Sequence, residues 1–245
     1  MRPILFELFG SQVFSYPFFM GLSWGLGYQL SLYLLNKRDI SKDGFLSLYV
    51  GIFISSWVGS KVLFLISSAQ DRVTEYAGAT EFWLGGGFVF YGGFLLATAF
   101  VLFYTLVLKK WKLENFKFLL PSIAFSHGVG RVGCLLAGCC FGSQCDLPFS
   151  IHLHGMDRHP VQLYEALGLF TIGSYFLWKI LKNKEKAEDY LLYIFLYSGL
   201  RYLTELFRGD LVRGVSGQGV STSQWIAIGL LLVSSFFIIK KRLAR

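Results

Sequence analysis

Seven apolar runs constrain this chain more than any other feature. They lie at about 12–35, 44–69, 83–108, 118–141, 161–181, 189–208 and 221–239. Each is long enough to cross ~30 Å of hydrocarbon as a helix. The runs are continuous, with no two-residue alternation of polar and apolar side chains, which argues for helices that satisfy their own backbone hydrogen bonds and against a barrel. Composition agrees: 54% of the 245 residues are hydrophobic and only 16% are charged, which is not a soluble balance. The expected fold is all-α, a polytopic integral membrane protein of about seven transmembrane helices. No Pro/Gly/Ser-rich linker or low-complexity block divides the chain, so 1–245 reads as a single membrane-embedded domain. The first run is too long for a signal-peptide core and is expected to stay.

The net charge of +8 invites a nucleic-acid reading, but the cations sit in short clusters between the apolar runs. That is how membrane topology is encoded. Lys37, Arg38 and Lys42 follow the first run; Lys109, Lys110, Lys112 and Lys117 follow the third. Lys179, Lys182, Lys184 and Lys186 follow the fifth, and Lys240, Lys241, Arg242 and Arg245 end the chain. The opposite links carry only Arg2, Arg72, Arg158, Arg208 and Arg213, mixed with acidic residues. The positive-inside rule therefore puts the N-terminus outside and the C-terminus in the cytoplasm. The outward segment 71–82 is amphipathic and is expected to lie along the membrane surface.

Lys61, Arg131, Glu165, Arg201 and Glu205 fall within the runs. Charges at membrane depth cost several kcal/mol each and face a bundle interior or a wet cavity. Their sum of +1 suits an anionic ligand such as a phospholipid headgroup. The plainer alternative is interhelical salt bridging, with Arg201 and Glu205 four apart on one helical face.

Chemistry is concentrated between His127 and Glu165, which contains all four histidines and all four cysteines. His127 and Arg131 are one helical turn apart, among Gly128, Gly130 and Gly133, where a helix or a ligand can approach the backbone closely. Arg presents a planar fork of donors suited to phosphate oxygens. A second glycine cluster, Gly85 to Gly93, contains Tyr91, either an interfacial anchor or a hydrogen-bond donor. His159-Pro160-Val161-Gln162-Leu163-Tyr164-Glu165 opens the fifth run, with Pro160 where a missing N–H costs little. Arg201, Glu205 and Arg208 form a polar stripe on one helical face, a track for a headgroup. Cys134, Cys139, Cys140 and Cys145, with His152, His154 and His159, have no standard zinc spacing, so neither a metal nor a cofactor is expected. The last three cysteines cluster near the expected outer face, where a disulfide is favoured over a reactive thiol.

At these residues the chain resembles the bacterial prolipoprotein diacylglyceryl transferase family, over nearly its whole length. The motifs stand in that family's order: Tyr16 in the first run, the doubled glycines around Tyr91 including Gly92 and Gly93, His127-Gly-Val-Gly130-Arg131-Val-Gly133, Gly142, His159-Pro160-x-Gln162-x-Tyr164-Glu165, Arg201-x-x-x-Glu205-x-x-Arg208, and Ser223-Gln224. The resemblance implies a multi-pass protein of the bacterial plasma membrane that moves diacylglycerol from phosphatidylglycerol to the thiol of a lipobox cysteine, releasing glycerol phosphate. It implies headgroup or substrate contacts for Tyr16, Gly92, Gly93, Gly130, Gly142, His159, Gln162, Tyr164, Glu165, Arg208 and Gln224. Tyr91 stands where the family usually has histidine, and Cys134-Leu-Leu-Ala137-Gly138-Cys139 stands where it has Asn-x-x-Asn-Gly-Glu. Phosphate-binding parts are thus retained while acceptor-activating parts are changed.

Displacing glycerol phosphate from a glyceryl carbon needs an in-line nucleophile and preorganised cations at the leaving phosphate. Arg131 and Arg201 are the expected clamps, Arg208 an outer guide and Glu205 an orienting partner. As base, Tyr91 with a usual pKa of ~10 is poorer than His127 or His159. Two other readings stay open: the same lipid donor with a different acceptor, and a transporter or lipid-binding protein with no catalytic step. A polar path equally developed in both halves of the bundle would favour transport.

Overall fold

The computed structural model describes residues 2–9, 11–67, 90–209 and 220–243. Its contacts divide the chain into two compact units, Met1–Lys37 with Phe116–Arg245, and Arg38–Asn115. The expected surface segment 71–82 lies outside the described residues.

The first unit holds α1 (Ser15–Lys37), and the second holds α2 (Phe45–Ser67) and α3 (Phe90–Leu102). A π-helical turn over Phe103–Val107 prolongs α3, and a 3-10 helix over Leu113–Leu119 leads into α4 (Leu120–Ala137). The first unit continues with α5 (Val161–Leu181), α6 (Asp189–Leu206) and α7 (Thr222–Leu243). These helices follow the apolar runs closely, α5 over the same residues.

Three of them are long and apolar enough by composition to cross a membrane: Phe45–Ile66, Leu113–Ala137 with its 3-10 lead, and Thr222–Lys241. In α5 and α6 the apolar sequence is interrupted by Gln162, Glu165, Lys179, Asp189 and Glu205, and all five are buried. Leu232 and Phe236 of α7, by contrast, are 67% and 61% exposed. Polar groups inside and apolar groups outside is the arrangement of a helix bundle whose solvent is lipid.

The mostly helical chain is not wholly α, which corrects the expectation. Two antiparallel ribbons occur, β1 (Ile4–Leu8) with β2 (Ser11–Phe14), and β3 (Ile151–Leu153) with β4 (Met156–Arg158). In the second, His154 and Gly155 both take positive φ, 52° and 74°, the two-residue turn whose twist matches a hairpin. Strands this short leave no hydropathy signal against seven long apolar runs.

In the second unit α2 packs on α3 through glycine. A Cβ on Gly59 would meet the carbonyl oxygen of Gly92 at 2.2 Å, and one on Gly93 would meet Ser60 Oγ at 2.4 Å. The Tyr104 hydroxyl donates to Gly44 O at 2.8 Å, tying the end of this pair to the start of α2. Lys61 is fully buried in α2.

In the first unit α4 lies against α1 and α5, and α6 against α5 and α7. Leu120 and Ala124 of α4 meet Ile172 and Phe176 of α5 in an apolar core that Leu192, Leu196 and Leu200 of α6 cover. Where α5 turns into α6, buried Lys179 and Asp189 form an ion pair, and Asp189 Oδ2 accepts the Lys186 N–H at 3.0 Å. Lys179 is therefore a helix clamp as well as a cation of its charge cluster.

Candidate functional site

Apart from the Lys179–Asp189 pair, the charged residues of α4, α5 and α6 meet on the side of that apolar core where α5 begins and α6 ends. Glu165, in the first two turns of α5, is the hub. Its Oε1 lies 3.0 Å from Arg131 Nη2 and 3.8 Å from His127 Nε2, and its Oε2 lies 3.3 Å from Arg201 Nη1. Glu205, one turn on from Arg201, takes Arg201 Nη2 at 2.7 Å and lies 3.9 Å from Arg208 Nε.

Both alternatives for the buried charges are thus partly realised. Arg201 and Glu205 do pair, and Arg131, with no carboxylate in its own helix, pairs with Glu165 of α5. Three guanidiniums face two carboxylates, so one positive charge remains. The carboxylates are 1% exposed, whereas the Arg131 and Arg201 side chains keep 16% and His127 keeps 32%. Arg131 Nε is buried without a hydrogen-bond partner among the described residues. The acids are enclosed and the guanidiniums around them are partly exposed, an arrangement that holds donors in place for an anion.

Tyr197 completes this group and was not singled out from the sequence. One turn before Arg201 in α6, its ring centroid lies 5.4 Å from that of His127, and its hydroxyl interacts with Arg131 and Glu165. The four-residue spacing to Arg201 was the available signal; a tyrosine in an aromatic-rich helix does not stand out on composition.

The glycines divide by contact. A Cβ on Gly128 would meet the Phe170 ring at 2.4 Å and one on Gly133 would meet Phe19 Cβ at 2.6 Å, so these two admit neighbouring helices. At Gly130 the nearest atoms are Ser23 Oγ at 3.6 Å and Met20 Sδ at 3.8 Å, which is ordinary contact. Gly142 has no room for a side chain because His159 O would lie 2.3 Å from its Cβ. Its backbone is stitched to the end of α6 by a bridge to Arg208 and a Gly209 N–H bond to Phe141 O at 3.1 Å.

Gln162 donates Nε2 to Cys139 O at 2.7 Å, and His159 Nδ1 lies 3.2 Å from the Tyr164 hydroxyl. Gln224 is used at the start of α7. Its Oε1 accepts the Ser221 N–H at 2.9 Å while Ser221 Oγ accepts the Gln224 N–H at 3.2 Å, a reciprocal capping box. Ser223 Oγ lies 3.4 Å from Arg201 Nη2. Tyr16 stands in the first turn of α1, and its carbonyl oxygen would lie 3.8 Å from a Cβ on Gly133. Gly92 and Gly93 belong to the α2–α3 unit, where their contacts are those of helix packing. Tyr91 stands in the first turn of α3, and its side chain lies outside the described residues.

All four cysteines are free thiols. The expected cluster of Cys139, Cys140 and Cys145 is corrected to Cys134, Cys139 and Cys140, whose sulfurs lie within 4.8 Å of one another. The turn after α4 is the reason, since it folds the two following cysteines back onto the last helical turn. Past the helix end, the Cys139 thiol donates to Cys134 O at 3.6 Å. The histidines of this stretch are engaged separately: His152 with Asp157 at 3.0 Å, His154 with Gly138 O at 3.3 Å and His159 with Tyr164.

Comparison with known proteins places this geometry. A family model described as prolipoprotein diacylglyceryl transferase matches residues 3–240. The chain belongs to the prolipoprotein diacylglyceryl transferase family. It is 30% identical over 248 residues to a Clostridium tetani protein named phosphatidylglycerol–prolipoprotein diacylglyceryl transferase, covering 96% of both chains. A Clostridium perfringens protein of that name, numbered 2, is 32% identical over 240 residues, covering 95% of this chain and 92% of its own. One from Finegoldia magna is 28% identical, covering 98% and 96%. Of the family's motif residues in this chain, Arg131, Glu165, Arg201 and Glu205 are brought together by α4, α5 and α6, and two of the three departures in the Asn-x-x-Asn-Gly-Glu run, Cys134 and Cys139, fall on clustered cysteines.

Proposed function

We propose that this protein is a membrane transferase that moves diacylglycerol from phosphatidylglycerol to the thiol of a lipobox cysteine, releasing glycerol phosphate. The observation that carries the reading is the guanidinium pair of Arg131 and Arg201 held on one buried carboxylate, Glu165. The acceptor thiolate attacks the glyceryl carbon, a carbon–sulfur bond forms and the carbon–oxygen bond to phosphate breaks. The electron pair leaves on the phosphate oxygen, so a phosphodiester monoanion becomes a phosphomonoester dianion. Negative charge grows on the phosphate along this path, and fixed cations in a water-poor site stabilise that growth.

Glu165 and Glu205 set the height and angle of the two guanidiniums, and Arg208, at the end of α6, guides the headgroup. Along α5 the apolar core residues Ile172 and Phe176 lie between Glu165 and the buried Lys179–Asp189 pair, and this interruption of the polar groups favours the transferase reading over transport. In the bacterial plasma membrane, with seven spans, the N-terminus lies outside and the C-terminus in the cytoplasm. A cytoplasmic reporter fused after Arg245 is then active, and an inactive one overturns that orientation.

The test of function is incubation of purified protein with labelled phosphatidylglycerol and a lipobox peptide, followed by mass spectrometry. A diacylglyceryl mass gain on the peptide cysteine with glycerol phosphate release is expected, and Arg131→Ala and Arg201→Ala each abolish it. Near-wild-type turnover in both variants overturns the clamp. Lipid turnover with an unmodified peptide means another acceptor.

A further inference from the structure

The transfer needs a thiolate beside the phosphodiester; His127 lies 3.8 Å from Glu165 and His159 against Tyr164, and two positions of the family's Asn-x-x-Asn-Gly-Glu run hold cysteines here. One turn gathers three thiols there. Gly138 closes α4 in the left-handed conformation at φ 74°, its N–H bonded to Leu135 O at 3.2 Å and the Cys139 N–H to Cys134 O at 3.1 Å. Cys140 is itself left-handed at φ 58°, a conformation that a residue with a Cβ rarely adopts. Gln162 of α5 and His154 of the β3–β4 turn hold the carbonyls of Cys139 and Gly138. The chain therefore doubles back, and Sγ of Cys134, Cys139 and Cys140 converge within 4.8 Å, the first buried and the others half-buried.

We propose that Cys134, Cys139 and Cys140 form a three-thiolate site for a thiophilic metal ion of the zinc class, whose open fourth position takes the acceptor thiol. A tetrahedral ion with bonds of about 2.3 Å needs sulfurs roughly 3.8 Å apart, within small side-chain rotations of the observed cluster. Three protein ligands with one position open are the pattern of a catalytic site, four that of a closed structural one. The spacing of four and then zero intervening residues is not a standard zinc pattern in sequence, because the left-handed turn at Gly138 brings the ligands together. The location also fits. Cys134 follows Arg131 by one helical turn, and Phe141-Gly142, directly after Cys140, are stitched to Arg208-Gly209.

The metal reading stands on this cluster alone; the role of the open position rests on the transferase reading. On coordination the acceptor thiol releases its proton to solvent, because a thiol bound to such an ion is deprotonated outright. The bound sulfur then attacks the glyceryl carbon, the carbon–oxygen bond breaks and its electron pair leaves on the phosphate. The thioether product is a poor ligand and departs, leaving the ion with its three protein thiolates. No oxidant or reductant enters.

The full-length protein, purified in detergent with its thiols reduced, is loaded with zinc and desalted for metal analysis. One zinc per chain is expected, and it protects three of the four cysteines from alkylation. Cobalt(II) in its place gives a thiolate-to-metal charge-transfer absorption, lost in Cys134→Ser, Cys139→Ser and Cys140→Ser and kept in Cys145→Ser. Adding a lipobox peptide raises that absorption; the same peptide with serine for cysteine does not. Chelator-stripped protein loses peptide modification by roughly a hundredfold, the scale of removing a catalytic base, and zinc restores it. Reduced protein that retains no metal, or an as-purified mass lower by two hydrogens with two of the three thiols unreactive until reduced, overturns the site. Full transfer by stripped protein overturns the activating role and leaves the transferase reading standing. Zinc and peptide-thiol coordination without any lipid turnover overturns the transferase reading and leaves the metal site standing.

Discussion

The α2–α3 pair and the α4–α5–α6 group both carry glycine clusters and buried charge, yet they use them differently. In α2–α3 the glycines bring backbone against backbone, Gly59 to Gly92, and the described contacts are those of close packing. In α4–α5–α6 the close approaches at Gly128 and Gly133 are made by aromatic side chains, Phe170 of α5 and Phe19 of α1, and α4 also carries His127 and Arg131 into a charged cluster. The same motif vocabulary therefore serves assembly in one unit and assembly plus chemistry in the other. What the α4–α5–α6 group adds is a cluster of arginines and glutamates drawn from three helices.

Four substitutions test that contrast, from the largest effect to the smallest. Glu165→Ala leaves Arg131 without its carboxylate and Arg201 with Glu205 alone, and is expected to lower unfolding stability by about 3–5 kcal/mol and to abolish lipid turnover. Thermal unfolding in detergent and the peptide mass assay read the two effects. Arg201→Lys keeps a charge but cannot reach Glu165 and Glu205 together through a fork. Turnover should fall roughly a hundredfold while the protein accumulates normally in the membrane; unchanged turnover would reduce Arg201 to a point charge.

Gly59→Ala drives a Cβ to 2.2 Å from Gly92 O and is expected to cost about 1–3 kcal/mol, with turnover per folded molecule unchanged. A specific loss of activity at normal stability would erase the distinction between the two units. Gly130→Ala meets nothing closer than 3.6 Å and is expected to change stability by about 0.5 kcal/mol or less. A larger destabilisation would show that Gly130 is a packing glycine like its neighbours Gly128 and Gly133.

The helices were legible because hydropathy acts over twenty residues and does not depend on distant partners. The ribbons were not, since Ile151–Leu153 and Met156–Arg158 are three residues each and hold together through backbone pairing that composition does not encode. Among site residues, Arg131, Arg201 and Glu205 stood out because a charge within an apolar run is conspicuous. Tyr197 did not, because an aromatic side chain in such a run is ordinary until a guanidinium lies beside it. Gln162 and Gln224 were read as substrate contacts, and the structure shows their side chains bonded to Cys139 O and to the Ser221 N–H, local partners that spacing does not reveal.

By itself the sequence determined a helical membrane protein with charges inside the bundle, because lipid forces every polar side chain either inward or to the surface. It also placed the ionisable residues on particular helices through the three- and four-residue spacing. Tertiary structure alone decided which carboxylate serves which arginine, and it chose Glu165 of α5 as the shared partner of Arg131 and Arg201. It decided, too, which cysteines meet. Cys134, Cys139 and Cys140 converge because Gly138 reverses the chain at the end of α4, and ion pairing and sulfur convergence depend on distances between elements that no local pattern specifies.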